Sequence, residues 1–254
     1  MTRSNTSFIV EKNKTPTNTQ PEILAVFEYC LLNGLSYVSA SIDDIPNLFP
    51  ACPVGSVEFV LKAMKKKGVV SPLPIGYPRH LDSFLRRPAE RFSLSEALKL
   101  LERIPLFVKP ANIVKGMTGR VFNDAGDLRK ELQNVPHIAQ KIVDVWVAPP
   151  VSFGQEWRIY ICRGKIVGMG RYDDGEDPDD FPPIDFIQKI LDAYKDAPSG
   201  YAIDVGQKDG VWALVEINDG WALGLYKGMS RTAYVDLLLT RWEEILKAKK
   251  GFNL

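Results

Sequence analysis

Two polar residues near the end of the chain have the types and spacing of metal ligands. Within the segment Leu214–Asn218, strand alternation places Glu216 and Asn218 on one face, with apolar residues on the other. A carboxylate and an amide side by side offer the oxygen ligands that a hard cation such as Mg²⁺ prefers. The same pattern also fits two solvated residues on a half-exposed strand, where alternating polar residues are common.

Asp204 lies on the preceding predicted strand, and the turn between the strands decides whether it can join this pair. A two-residue type I′ turn at residues 209–210 would make Asp204 face away from Glu216. A three-residue turn at residues 208–210 would bring both carboxylates to one face. Because Gly210 suits the left-handed position of a three-residue turn with a G1 bulge, we predict the longer loop.

The preceding predicted hairpin, residues 156–171, carries a second group of charges. Glu156, Arg158 and Tyr160 alternate onto one face, and Arg171 lies on the returning strand. Two arginines near a carboxylate could clamp phosphate oxygens through bidentate hydrogen bonds. The alternative is a surface salt bridge between Glu156 and one of the arginines.

Lys109 ends a short apolar strand, and a small-residue segment, Lys115–Gly119, follows it. A lysine at a strand end beside such a loop is one way to hold a polyphosphate. The sequence contains neither a P-loop motif nor the G-x-G-x-x-G fingerprint, so this would be a different kind of phosphate site.

The elements that must position these residues change character along the chain. Residues 1–20 are polar and predict a disordered tail. Residues 21–104 predict a helical N-terminal domain, in which Ser93 and Glu96 form a capping-box pattern. From residue 105 to 254, short strands and antiparallel hairpins alternate with helices. This order predicts an α+β fold instead of a single parallel sheet.

In this order the candidate residues resemble the ATP-grasp superfamily. The resemblance covers residues 105–250, and the N-terminal segments Pro53–Phe59 and Tyr77-Pro78 resemble a bacterial and phage branch marked by two arginines and a lysine. It implies two α+β lobes that close over ATP, behind a smaller N-terminal domain.

The resemblance also implies roles in nucleotide binding. Lys109 would contact the α- and β-phosphates, with Lys115 as a second phosphate lysine. The linker whose backbone binds adenine would contain Gln140, Lys141 and Val143. The carboxylate that binds the ribose is open between Asp144 and Glu156.

The remaining implied roles concern catalysis. Arg158 and Arg171 would face the γ-phosphate and the acceptor, while Asp204, Glu216 and Asn218 would hold one or two Mg²⁺ ions. The family usually activates a carboxylate as an acylphosphate that an amine then attacks. We therefore expect an ATP- and Mg²⁺-dependent carboxylate–amine ligase with a small-molecule or peptide substrate. A phosphotransferase and a non-catalytic ATP-binding module are the alternatives.

Composition excludes several other classes. The net charge of +1, from 32 basic and 31 acidic side chains, argues against a nucleic-acid-binding protein. Three scattered cysteines and two histidines argue against a disulfide framework, a zinc centre and a serine-histidine triad. No apolar run reaches the length of about 18 residues that a bilayer requires. Without an apolar signal segment, a cytoplasmic location and no membrane partner are expected; the composition indicates no particular oligomeric state.

Overall fold

The structure, a computed structural model, describes residues 6–12, 20–113, 117–173 and 181–251, without the side chains of 137, 138 and 249–251. Lys115 and the acidic residues 174–180 lie outside the described residues. Among the helices that are described, none combines the length and the apolar character that a membrane span requires.

A small parallel sheet of order β2-β1-β3 forms the N-terminal layer. Its strands are β1 (Thr6–Glu11), β2 (Ser36–Ala40) and β3 (Cys52–Val54). Two helices accompany it, α1 (Pro21–Asn33) and α2 (Val57–Lys66), and α3 (Asp82–Leu85) follows in the connection to the next sheet. Helix α1 ends at Gly34 with a φ of 62°, the left-handed cap that glycine accepts readily.

The prediction of a disordered tail over residues 1–20 is wrong for β1. Phe8, Ile9 and Val10 are fully buried in the centre of the parallel sheet. A central parallel strand is covered on both faces, so its apolar run is short and continuous and shows no alternation. The surrounding Ser, Thr, Asn and Lys residues hid this run in the average composition.

A second sheet, antiparallel and of order β4-β7-β5-β6, follows along the chain. Its strands are β4 (Glu90–Ser93), β5 (Leu106–Pro110), β6 (Arg120–Phe122) and β7 (Asp144–Ala148). The helices of this lobe are α4 (Leu94–Leu101), α5 (Ala125–Asn134) and α6 (Pro136–Ala139). Helix α4 begins with the predicted Ser93–Glu96 capping box.

The predicted domain boundary at residues 104–105 lies inside this lobe. Strand β4 pairs with β7 from Glu90↔Val147 to Ser93↔Asp144. Helix α4 contributes Ala97 and Leu101 to the same core as Val108 of β5. The lobe therefore begins before residue 105, and the distant pairing of β4 with β7 is the reason that the local sequence did not indicate it.

The third sheet, also antiparallel, has the order β11-β10-β8-β9. Its strands are β8 (Glu156–Cys162), β9 (Lys165–Arg171), β10 (Gly200–Lys208) and β11 (Val211–Asp219). Helices α7 (Ile184–Ala193) and α8 (Arg231–Gly251) pack into two separate cores, on either side of this sheet.

One face of β8 serves two purposes along its length. Tyr160 is fully buried in the core that α8 shares with this sheet, and its hydroxyl donates to Gly224 O at 2.7 Å. Glu156, on the same alternating face, instead borders a cleft between the second and third sheets. The predicted face is therefore divided between core and cleft.

Candidate functional site

A cavity of about 880 Å³ lies between the second and third sheets. This volume falls within the range of small-molecule sites, about 300–1,000 Å³. The second sheet contributes Phe107, Lys109 and Trp146, and the third contributes Glu156, Glu216 and Asn218. Residues 73–77 and Pro149, Val151 and Phe153 close the remaining sides.

Lys109 reaches across this cleft from strand β5. Alternation along β5 buries Val108 in the core below, so that Lys109 projects on the opposite face. Its Nζ lies 2.5 Å from Oε2 of Glu216 on strand β11 of the other sheet. The ion pair therefore joins the two lobes at the centre of the cavity.

The β10–β11 hairpin corrects the predicted loop. Lys208 pairs with Val211, so the turn has two residues, and Asp209 and Gly210 take φ values of 51° and 75°. These positive values are those of a type I′ turn. The predicted three-residue loop is therefore wrong.

Asp204 and Glu216 nevertheless face each other, because the ladder contains a bulge. Val205 pairs with Leu214 and Asp204 pairs with Glu216, so Val215 is the extra residue. A bulge of this kind shifts the alternation of one strand by one position. It compensates for the short turn and brings Asp204, Glu216 and Asn218 together.

Asp204 is held by two neighbours in this cluster. Arg158 Nε donates to its Oδ1 at 2.8 Å, and Arg158 Nη2 donates to its Oδ2 at 2.7 Å. The Asn218 amide nitrogen lies 2.8 Å from both Asp204 Oδ2 and Glu216 Oε1. Since Asp204 is only 1% exposed, these contacts replace the water that an ionised carboxylate requires.

Burial and charge act in opposite directions on these groups. Burial raises the pKa of Asp204 above its ordinary value, against the opposing effect of the Arg158 guanidinium. Burial also favours a raised pKa for Glu216, but Lys109 and Asn218 together hold that pKa below its usual range. Burial would lower the pKa of Lys109, and the attraction of Glu216 keeps it above its ordinary value.

Glu156 and Arg171 lie at the edge of the cluster. The Tyr172 hydroxyl donates to Glu156 Oε2 at 2.7 Å, and Glu156 lines the cleft. Arg171 pairs in register with Trp157, whereas Arg158 pairs with Gly170. Because paired residues share a face of a sheet, the two arginines point to opposite faces.

Arg171 is linked to the site through a neighbouring carboxylate. Its Nε donates to Asp173 Oδ1 at 2.5 Å, and Asp173 Oδ2 accepts from the Glu156 backbone N–H at 2.6 Å. The structure therefore does not bring Arg158 and Arg171 together as a clamp.

The predicted adenine linker is in the wrong place. Gln140, Lys141 and Val143 lie on an exposed segment between α6 and β7. The Val143 backbone is already occupied, since its N–H donates to Asn112 Oδ1 at 3.2 Å and its carbonyl accepts from Leu94 N–H at 2.9 Å. Asp144, a ribose candidate, bonds to Arg91 Nη2 at 2.7 Å.

The segment that does connect the two sheets is residues 149–155, between β7 and β8. Its residues Pro149, Val151 and Phe153 line the cleft. The prediction failed because the apolar residues from 138 to 147 resemble one strand, whereas β7 begins only at Asp144.

Several cleft residues were absent from the sequence-based predictions. Trp146 is paired with Lys109 and stacks edge-on against Tyr77 at 5.2 Å between ring centroids. Its alternation with buried Val145 and Val147 is a signal that could have identified it. Arg87 also lines the cleft, and its Arg-Arg-Pro context carries no comparable signal.

The donor set fits Mg²⁺ held together with a polyphosphate. Asp204, Glu216 and Asn218 can supply oxygen ligands from adjacent strands, and Mg²⁺ commonly binds through one or two carboxylates plus substrate phosphates. Among the described residues there is no group of three His, Cys, Asp or Glu side chains that could hold a metal. A phosphate would therefore have to complete the coordination. Lys109 and Arg158 supply positive charge beside it.

Comparisons with known proteins agree with this arrangement. Residues 84–237 match a family model for an ATP-grasp domain, described as family 2 of the clade named for two arginines and a lysine. A search of curated protein sequences found no match.

Solved structures similar in fold include ATP-grasp proteins. A D-alanine–D-alanine ligase from Bacillus anthracis aligns with a TM-score of 0.56 at 14% identity, over 96% of this chain and 99% of that one. The D-cycloserine synthetase DcsG aligns with a TM-score of 0.53 at 11% identity, over 94% and 99%. A RimK domain ATP-grasp protein from Sphaerobacter thermophilus has a TM-score of 0.53 at 13% identity, over 91% and 98%. The α+β fold of the ATP-grasp type predicted from the sequence is confirmed.

Proposed function

The chain belongs to the ATP-grasp superfamily, in family 2 of the clade named for two arginines and a lysine, and from this premise we propose that it is an ATP- and Mg²⁺-dependent ligase joining a carboxylate to an amine. The observation that carries the proposal is the cluster in the cleft. Lys109 from one sheet meets Glu216 of the other, beside Asp204, Asn218 and Arg158.

Each residue of the cluster has a proposed role. Lys109 binds phosphate oxygens, and Asp204, Glu216 and Asn218 hold one or two Mg²⁺ ions against them. Mg²⁺, when bound, would neutralise charge on the phosphates. Arg158, with a delocalised cation held beside Asp204, stabilises the charge that develops on the transferred phosphoryl group.

The proposed reaction needs positioned charges and no nucleophilic side chain. A substrate carboxylate oxygen bonds to the γ-phosphorus as ADP leaves, which forms an acylphosphate. An amine nitrogen then bonds to the acyl carbon, phosphate leaves with the bonding electron pair, and the amine releases a proton. Positioning and electrostatic stabilisation supply most of the catalysis in phosphoryl transfer.

Two of the residues implied by the resemblance take modified roles in this proposal. Arg171 acts through Asp173, which bonds to the Glu156 backbone, so we assign it as a positioning residue. Glu156, which lines the cleft and accepts from Tyr172, is preferred over Asp144 for the ribose. Residues 149–155 replace 140–143 as the proposed adenine linker.

The first test is thermal stability with ATP and Mg²⁺, with each alone, and with neither. A ligand at about a hundredfold excess over its Kd stabilises the folded state by about 2.7 kcal/mol. We expect a Mg²⁺-dependent shift in the wild type and in Glu102→Gln, a control on an exposed residue, and a much smaller shift in Glu216→Gln. Folded wild-type protein that shows no shift would contradict the proposal.

The second test separates the reaction classes. The protein is incubated with ATP, Mg²⁺ and pools of amino acids or peptides, and the products are analysed by mass spectrometry. A ligase gives ADP, phosphate and an amide product. A phosphorylated acceptor would indicate a phosphotransferase, and nucleotide binding without turnover would indicate a binding module.

A further inference from the structure

The bulge that brings Asp204 opposite Glu216 is held by a side chain from outside the hairpin. Arg87 Nη1 donates to Leu214 O at 3.0 Å, and Arg87 Nη2 donates to Val215 O at 2.9 Å. In a regular strand, consecutive carbonyls point to opposite edges. Here one planar guanidinium bonds to both, so the two carbonyls converge at the bulge.

The position of Arg87 is itself fixed by several contacts. Its Nη1 also donates to Leu85 O at 3.2 Å, at the end of α3. The guanidinium carbon lies 5.8 Å from the Tyr77 ring centroid and 5.3 Å from that of Phe153. A lysine could not reproduce this arrangement, since it offers a compact ammonium in place of a planar fork.

The bulge matters because the two-residue turn would otherwise produce the wrong register. Without an extra residue, Asp204 would lie opposite Val215 and Glu216 would point to the other face. An extra residue in a strand disrupts the ladder locally and leaves backbone groups that need partners. Arg87 supplies those partners at the two carbonyls concerned.

We propose that Arg87 is a positioning residue for the metal site, which keeps Asp204, Glu216 and Asn218 on one face by clamping the Val215 bulge. This inference rests on the proposed function, since it assumes that these three residues hold Mg²⁺. The match to the family model begins at residue 84 and therefore includes Arg87.

The test compares Arg87→Met with Arg86→Met, a matched control. Arg86 Nε donates to Trp212 O at 3.0 Å, on the same strand but before the bulge. We measure the affinity for Mg²⁺ at saturating ATP, and separately the affinity for ATP in the presence of a chelator. Loss of an outer-shell partner typically weakens metal affinity by about 10- to 100-fold, and we expect a loss of this size only in Arg87→Met. Metal-free ATP binding should remain unchanged.

A readout without ligand complements these affinities. Hydrogen exchange of the backbone amides of residues 211–219 should accelerate in Arg87→Met relative to Arg86→Met. If Arg87→Met does not fold, Arg87→Lys serves the same comparison, because it also cannot bond to both carbonyls in a planar fork.

The outcomes distinguish this inference from the proposed function. Wild-type protein that binds no Mg²⁺ with ATP would contradict the proposed function itself. Wild-type binding together with unchanged Mg²⁺ affinity in the Arg87 variant would overturn only the role of Arg87. An equal loss of metal-free ATP binding would make Arg87 a direct nucleotide contact, which also overturns the positioning role.

Discussion

Lys109 Nζ and Glu216 Oε2 lie 2.5 Å apart, although the residues are 107 positions apart in the sequence and belong to different sheets. Their ion pair is the direct polar contact between the phosphate-binding candidate of one lobe and a metal-binding candidate of the other. A nucleotide that binds in this cleft must therefore interact with both charges.

Replacing Lys109 by Met is expected to weaken binding of Mg-ATP by about 10- to 100-fold. A hydrogen bond to a charged group contributes about 1.5–3 kcal/mol, and the variant would lose it. Isothermal titration of the variant measures this, with exposed Lys99→Met as the control. Wild-type affinity in Lys109→Met would remove Lys109 from the site.

The same variant should also alter the pH dependence of metal binding. Without Lys109, burial dominates at Glu216 and its pKa rises above the ordinary value. Mg²⁺ binds the ionised carboxylate, so its affinity in Lys109→Met should fall more steeply on mild acidification than in the wild type. Parallel profiles of Mg²⁺ affinity against pH would contradict this.

Arg158→Met should destabilise the fold by about 3–5 kcal/mol, because it leaves Asp204 buried without its charge partner. The double variant Arg158→Met/Asp204→Leu should lose less than the sum of the single variants, since no unpaired charge remains. Urea unfolding of the four proteins measures the coupling. Additive losses would mean that the two side chains stabilise the fold independently.

The two candidate linkers make opposite predictions. Phe153→Ala should weaken ATP binding by about tenfold, since losing the burial of a large apolar side chain costs about 1.5 kcal/mol or more. The double variant Gln140→Ala/Lys141→Ala should bind ATP like the wild type, because these residues lie on an exposed segment away from the cleft. Titrations that gave the reverse result would restore the linker predicted from sequence.

Lys67 should make stability depend on pH in alkaline solution. It is 6% exposed, and burial lowers its pKa from 10.5 to about 8. Between these values the unfolded chain binds more protons than the folded protein, so this residue makes stability increase with pH. The free energy of unfolding of the wild type minus that of Lys67→Met should therefore rise through this window.

The matched control for Lys67 is Lys62→Met, a half-exposed lysine that bonds to Asp43. The difference between the wild type and this control should stay level over the same pH range. A level difference for Lys67→Met as well would mean that Lys67 titrates like an ordinary lysine.

The sequence by itself determined the features that depend on neighbouring residues. The Ser93–Glu96 capping box and the alternation of Glu216 and Asn218 are encoded within a few positions. The α+β class and the ATP-grasp resemblance were also readable, because they depend on the order of such local patterns. A period of two residues in a strand requires no knowledge of its partner.

Only the tertiary structure decided the features that depend on distant partners. Strand β1 needed β2 and β3 beside it, and the true linker was visible only once β7 and β8 had separate sheets. The face of Asp204 depended on a bulge at Val215, which Arg87 holds from another segment. Register and bulges arise from the free energy of packing and hydrogen bonding across the fold, and a local sequence pattern does not contain those terms.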